Sequence, residues 1–453
     1  MNRLLEAFDQ HVVDRGDREA LWSRGESLRW SFRRLAECST DWERLLRPHA
    51  GRPVALATGN GSAFLGALLA LWRLGCPVVV MDDGVAEAFE RCRRLGIGLL
   101  IHRGTSGQRL ADGICLDQPL DDDAAEPIPG TVLVKLTSGS TGQPVGWCFD
   151  DNSLWAGIGQ IAEGMGLTTA DRVLMALPLS HSYGFDSGIL SLLVRGTPLV
   201  LEPSVFPGAM GRALVEGRVS VLPLVPPLVR SLGGVRWPQP TEDLRLVVCA
   251  GGRLDPGVAA AFHGASGLGV HNFYGSTETG GITFERQPFD DGAPGTVGRP
   301  LPGVEVSLDL EGRVCVDSAA NRLGRWGDRP LDDRRVRTGD TAQWGNDGRL
   351  RLTGRTADLL QLGGRKVPAV HLETALATVD GVRRAAVVGV PDPVRGERAV
   401  AFLVTDHWPV DLSSVPADLT PREVRRLDAL PHTGRGKLDR ASLRRLATGP
   451  RTC

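Results

Sequence analysis

The chain is 453 residues long, 42% hydrophobic and 23% charged, with a formal net charge of −1. Such a length exceeds one ordinary domain and allows a large core, and the lack of a basic stripe with interleaved aromatics argues against nucleic-acid binding. Eight cysteines stand apart, with no CxxC or Cys/His cluster, which argues against a zinc site or disulfide framework and for a reducing, cytoplasmic setting.

No early segment joins a basic start to an apolar run, so no secretory leader is expected. The longest apolar stretch, FLGALLALWRLGCPVVVM, is broken by Arg73 and reads as a helix followed by a strand, not as a membrane span. Around it, apolar runs bounded by glycine and proline alternate with helical segments. PVALAT and PVVVMD flank that helix, and DRVLMALPL, TPLVLE, VSVLPLV and LRLVVCAGG continue the pattern. Runs of this length suit buried strands joined by crossover helices, hence an α/β body. The Arg-, Asp- and Gly-rich region 316–335 is expected to be an irregular loop. TAQWGNDGRLRLTG reads as a hairpin turning at Asp347-Gly348. A smaller α+β unit follows: AVHLETALATV as helix, RRAAVVGVPD and RAVAFLVT as strands, PREVRRLDAL as helix. The expected division is therefore a large multi-sheet α/β domain over 1–354 and a small α+β domain over 355–453. From Arg355 onward 16 Lys+Arg face 11 Asp+Glu, whereas 36 face 42 in the remainder. A basic tail unit beside an acidic body suits an anionic ligand, although a solvated surface explains it equally well.

Only three lysines, Lys135, Lys366 and Lys437, stand among 52 basic side chains. Arginine serves almost everywhere, so a retained lysine suggests a need for a compact ammonium. The glycine loops fail the commoner nucleotide signatures. GSTGQPVG lacks the lysine of a Walker loop, and TGNGSAFLG lacks the GxGxxG spacing. What remains at Thr137–Gly142 is a run of hydroxyls and backbone N–H groups suited to wrapping phosphates.

Five stretches in order carry a family resemblance: TSGSTGQPVG, LPLSHSYGF, NFYGSTETGG, RTGD with LTGRTADLLQLGGRKV, and LPHTGRGKLDR. They resemble the motifs of the adenylate-forming superfamily of acyl- and aryl-CoA ligases, carrier-protein ligases, peptide-synthetase adenylation domains and luciferases. The acyl/aryl-acid ligases look most similar. The resemblance implies that Thr137, Ser138, Gly139, Ser140, Thr141 and Gly142 form the phosphate loop. Gly251, Gly252, Tyr274, Gly275 and Ser276 would line the nucleotide, with Tyr274 near the adenine. Thr277 would bond the α-phosphate, and Glu278 would hold Mg²⁺ bridging the ATP phosphates. Asp340 would accept both ribose hydroxyls, and Arg355 would donate to the ribose and phosphate region. His181 resembles a gating histidine, and Tyr183, Phe185, Asp186, Gly280 and Gly281 would line the acid pocket.

The resemblance also implies that Lys437 bridges the substrate carboxylate and the α-phosphate, cancelling the repulsion of two anions where charge builds up. Asp358 resembles the hinge of a small C-terminal domain that is mobile in relatives. Gly363, Gly364 and Lys366 would then guide the thiol of CoA or of phosphopantetheine on an acyl or peptidyl carrier protein. Relatives usually carry lysine where Val145 stands here, and Lys135 is a candidate substitute. The function implied is an ATP- and Mg²⁺-dependent ligase that makes an acyl- or aryl-adenylate and then a thioester. Two rivals stay open: an adenylating enzyme that acts on an unusual oxyanion or passes the acyl group to an amine, and a degenerate nucleotide- or acyl-binding relative.

Overall fold

The computed structural model describes all residues except 1, 82–83, 106, 112, 119–125, 139–143, 236, 238–241, 289–294, 363–364, 393–395, 417–418, 433–437 and 450–453. The chain divides into two compact units. The first comprises Met1–Val306 and Val316–Val336, the second Ser307–Cys315 and Arg337–Cys453. The hairpin over 337–355 thus falls in the second unit, whereas the sequence reading begins the small domain at Arg355.

In the first unit, parallel strands run in the order Val270–Ser276, Leu246–Cys249, Val221–Leu224, Val173–Met175, Leu199–Leu201 and Glu19–Ser23. Antiparallel neighbours flank them, Gly280–Phe284 beside Val270–Ser276 and Leu28–Ser31 beside Glu19–Ser23. The central strands are buried along their whole length, as near-continuous Val/Leu runs require when both faces are covered. Their residues join Met210, Leu232 and Phe262, from the flanking helices, in one core.

A second sheet of the same unit has eight strands, with Leu133–Ser138 between Val78–Val80 and Pro144–Phe149. The short strand Gly324–Arg325 closes its edge by pairing with Cys148 and Trp147. Region 316–335 is therefore not wholly irregular: a two-residue strand is carried there by pairing that no local periodicity announces. The helix Ser62–Arg73 is apolar on all sides and is packed by Phe32–Leu46, with Gly66 lying directly under Trp42 and Cys38. A side chain at Gly66 would overlap the Trp42 ring, 2.7 Å from its Cβ position.

The expected hairpin pairs Val336–Trp344, which belongs to the second unit from Arg337 on, with Leu350–Arg355, and Gly348 stands at φ 71° in the turn. The second unit's own sheet orders Arg365–Pro368, Leu359–Leu362, Gly396–Thr405 and Val382–Asp392, and the helix Ala369–Ala377 packs on it. The expected helix at 421–430 is corrected: Glu423–Arg426 is a strand, parallel to Gly396–Thr405. Its alternation decides the matter. Val424 packs into one core cluster while Leu427 joins the other, and Glu423 pairs with Arg398 and Arg425 beside it. Among the described residues no helix is long and apolar enough to cross a membrane, and the seven described cysteines are free.

Candidate functional site

Ligands of open α/β sheets gather outside the carboxyl ends of the parallel strands. Three motif segments of the first unit leave the large sheet at those ends. The strand Val173–Met175 runs into the segment carrying His181 and Tyr183. Leu246–Cys249 runs into Gly251 and Gly252, an exposed bend in which Gly251 has φ 80°. Val270–Ser276 runs into Thr277 and Glu278, the tip of the hairpin that returns as Gly280–Phe284.

Each segment is held by local chemistry. Thr279 is fully buried and its hydroxyl meets Ser276 N–H at 3.4 Å and Ser276 Oγ at 3.1 Å, which fixes the tip. Gly275 crosses the returning strand so closely that a Cβ would lie 2.4 Å from the Gly280 carbonyl. Tyr274 is buried, and Thr277 and Glu278 remain partly exposed at the tip. In the segment after Val173–Met175, the Phe185 N–H donates to the His181 carbonyl at 2.8 Å. Gly184 leaves room for the Pro178 carbonyl, 2.2 Å from where a Cβ would stand. Asn60 clamps the segment from below: its Nδ2 donates to Leu177 O at 2.9 Å and its Oδ1 accepts from Leu179 N at 2.8 Å. Asn60 lies in the TGNGSAFLG stretch, where the sequence offered only a failed nucleotide signature.

The residues expected to line an acid pocket form one neighbourhood. The Tyr183 hydroxyl donates to Val248 O at 3.0 Å, and its ring lies 5.8 Å from that of Phe273. Gly281 sits against Phe273 and Leu301, and a Cβ on Gly280 would be 3.9 Å from Asp186 Oδ2. Phe185 is fully buried and edges onto Trp72. Asp186 is also buried, and Lys135 donates to its Oδ1 at 2.6 Å. Burial pushes the Asp186 carboxyl above its usual range, and the Lys135 charge opposes that rise.

This pair corrects one expectation. Lys135 is no substitute for a phosphate-loop lysine, because its ammonium is spent on Asp186 beneath the rings of Phe149 and Phe185. Val145 stands opposite Thr137 in the hairpin register, and Trp147 Nε1 donates to Thr137 Oγ1 at 3.2 Å.

In the second unit, Asp340 and Arg355 face each other across the hairpin and pair at 2.7 Å, with the carboxylate buried and the guanidinium exposed. Asp358 closes the short 3-10 turn Thr356–Asp358 and accepts from Arg440 Nε at 3.0 Å. Arg440 also donates to Glu373 at 2.8 Å and to Val387 O at 2.8 Å. Gly139, Ser140, Thr141, Gly142, Gly363, Gly364 and Lys437 lie outside the described residues, as do the side chains of Ser138 and Lys366. The His432–Leu438 bridge brackets the segment that holds Lys437. Among the described residues no group of three or more His, Cys, Asp or Glu side chains is arranged to hold a metal ion.

Two family models match the chain: AMP-binding enzyme over residues 8–320 and AMP-binding enzyme C-terminal domain over 371–437. A methyl-dioxo-octahydroindenyl propanoyl:CoA ligase of Mycobacterium tuberculosis is 30% identical over 419 residues, covering 88% of this chain and 80% of its own. A feruloyl-CoA synthase of an Amycolatopsis species is 29% identical over 447 residues, covering 87% and 89%. Among solved structures, the o-succinylbenzoate CoA synthetase of Bacillus subtilis, bound to its acyl-adenylate intermediate, matches with a TM-score of 0.82. It is 22% identical and covers 98% of both chains, and that likeness is one of fold.

Proposed function

Because the chain belongs to the AMP-binding enzyme family, matched over 8–320, we propose that it is an ATP-dependent ligase joining a carboxylic acid to a thiol, with AMP as product. An acyl- or aryl-adenylate forms first. A carboxylate oxygen of the acid attacks the α-phosphorus of ATP, the bond from that phosphorus to the bridging oxygen breaks, and its electron pair leaves with pyrophosphate. The thiol of CoA then attacks the acyl carbon and displaces AMP, its proton passing to a base. A phosphopantetheinyl carrier protein is the alternative acceptor.

The observation that carries the reading is the convergence at the strand ends. Thr277 and Glu278 at a rigid hairpin tip and the open backbone of Gly251-Gly252 follow neighbouring parallel strands. This supports a nucleotide lying along Gly251, Gly252, Tyr274, Gly275 and Ser276, with Thr277 donating to its α-phosphate. Thr137 and the loop after it take the outer phosphates. The acid lies among Tyr183, Asp186, Gly280 and Gly281, with His181 beside its carboxylate. Asp340 accepts the ribose hydroxyls, and Arg355 donates to the ribose and phosphate region.

Glu278 fits magnesium. Mg²⁺ keeps several waters and uses one or two carboxylates plus substrate phosphates, so a single partly exposed glutamate suffices where the described residues form no protein cage. When bound, the ion neutralises charge on the phosphates. Lys437 supplies the positive charge shared by the attacking carboxylate and the α-phosphate. Gly363, Gly364 and Lys366 are assigned to the thiol's approach, and Asp358 to the hinge. The test is pyrophosphate exchange into ATP across a panel of aryl and medium-chain acids, followed by CoA or holo-carrier. Exchange with one acid and a thioester afterwards is the expected result. Exchange without a thioester would move the acceptor to an amine, and no exchange with any acid would end the reading.

A further inference from the structure

The phosphate-loop hairpin lacks a cation of its own: Val145 stands opposite Thr137, and Lys135 is consumed by Asp186. A polyanion needs positive charge placed where it binds and leaves. One side chain of the first unit is positioned to give it. Arg322 lies on the segment that runs beside the strand Pro144–Phe149, where Leu323 N donates to Cys148 O at 2.8 Å and Trp326 N to Gly146 O at 2.8 Å. Its backbone N–H donates to the Glu278 carbonyl at 2.9 Å, which ties it to the hairpin tip. Its guanidinium carbon lies 5.0 Å over the Trp147 ring.

Val145 and Trp147 are two residues apart on one strand, so their side chains share a face. The guanidinium therefore stands over the face that Val145 leaves uncharged, beside the indole that donates to Thr137. Its polar atoms are poorly used. Nε is buried with no hydrogen-bond partner, and Nη1 makes one long contact of 3.4 Å with the Arg334 carbonyl. Among the described residues no carboxylate lies within ion-pair distance of it, although many arginines of this chain are paired. A half-buried guanidinium with an orphaned donor pays the cost of desolvation without its own anion, which marks a site that completes itself with a ligand.

We propose that Arg322 binds the outer phosphates of ATP and takes up the charge of the departing pyrophosphate, replacing a cation from position 145. This rests on the adenylating reading above. Planar forked donors suit phosphate oxygens, and the Trp147 ring lies against the guanidinium.

The experiment measures the KM values for ATP, pyrophosphate and acid in pyrophosphate exchange. Arg322→Met should raise the ATP and pyrophosphate values about 10- to 100-fold, the loss of a charged hydrogen-bonding partner, and change that of the acid far less. Arg322→Lys should fall between. Val145→Lys added to Arg322→Met should restore most of the loss, because it puts an ammonium on the same face. A merely structural arginine would not be rescued from another strand. Unchanged ATP and pyrophosphate values, a rise confined to the acid, or a loss that Val145→Lys does not repair would overturn the assignment. Val145→Lys in the wild-type background reads out independently of how Arg322→Met folds. It should tighten ATP by no more than about twofold, and a tenfold gain would show that the face had been without a cation. Absence of exchange in the wild-type protein would instead strike the adenylating reading, so the two failures are distinct.

Discussion

The Lys135–Asp186 pair makes the sharpest stability prediction. Both residues are buried, at 2% and 6% exposure, and the ammonium-to-carboxylate distance is 2.6 Å. Removing one partner leaves the other charge in a dry site, which costs about 3–5 kcal/mol. Removing both with apolar residues of similar volume is close to neutral. The first unit has roughly 330 residues, so its unfolding entropy near 60 °C is about 0.7 kcal/mol/K at the usual value per residue. Asp186→Leu or Lys135→Met alone should therefore lower the thermal midpoint of that unit by about 4–7 °C. The double variant should recover to within about 2 °C of wild type. Differential scanning calorimetry on the four proteins closes the cycle. Additive losses would refute the reasoning, since they would mean that the two charges stabilise the fold separately and not through each other.

Other consequences follow from single contacts. Gly184→Ala forces a methyl group onto the Pro178 carbonyl and should cost about 1–3 kcal/mol in thermal stability while slowing adenylation by displacing the segment that carries His181. Arg440→Ala takes their arginine from Asp358 and Glu373, leaving Glu373 the Val387 N–H, and should lower the stability of the second unit by about 1.5–3 kcal/mol, read as faster limited proteolysis after the strand Gly396–Thr405. Asp171 is a pH probe. Burial raises its pKa, but Arg245, Ser220 and the Thr168 N–H more than offset this and hold it below the usual aspartate value. A carboxyl depressed in the folded state stabilises above its unfolded pKa of about 3.9 and loses that contribution as pH falls through the folded value. Asp171→Asn should thus be less stable than wild type at pH 7, the gap closing below about pH 4 in urea titrations.

Much of the architecture is legible locally. Runs such as Val54–Ala57 and Leu246–Cys249, buried throughout, announce parallel strands by composition alone, and Asp347-Gly348 announces its hairpin. The motif residues Thr277, Glu278, Asp340 and Arg355 are equally readable, because each belongs to a short contiguous stretch. What escapes the sequence is tertiary. Glu423–Arg426 takes its strand form from pairing with Gly396–Thr405, and four residues with a single apolar one, Val424, are too short to announce a strand by themselves. Lys135 and Asp186 are 51 residues apart, so nothing near either announces the pair that removes Lys135 from phosphate chemistry. Arg322 is one of many arginines in its region, and only the fold sets it over Trp147.

Lys437 is the residue proposed to supply the charge that lets two anions react. The direct measurement is pyrophosphate exchange by Lys437→Ala, beside wild-type protein, with an acid that the wild type activates. Exchange should vanish while the variant still binds MgATP. Exchange at a rate near that of the wild type would contradict the account at its centre.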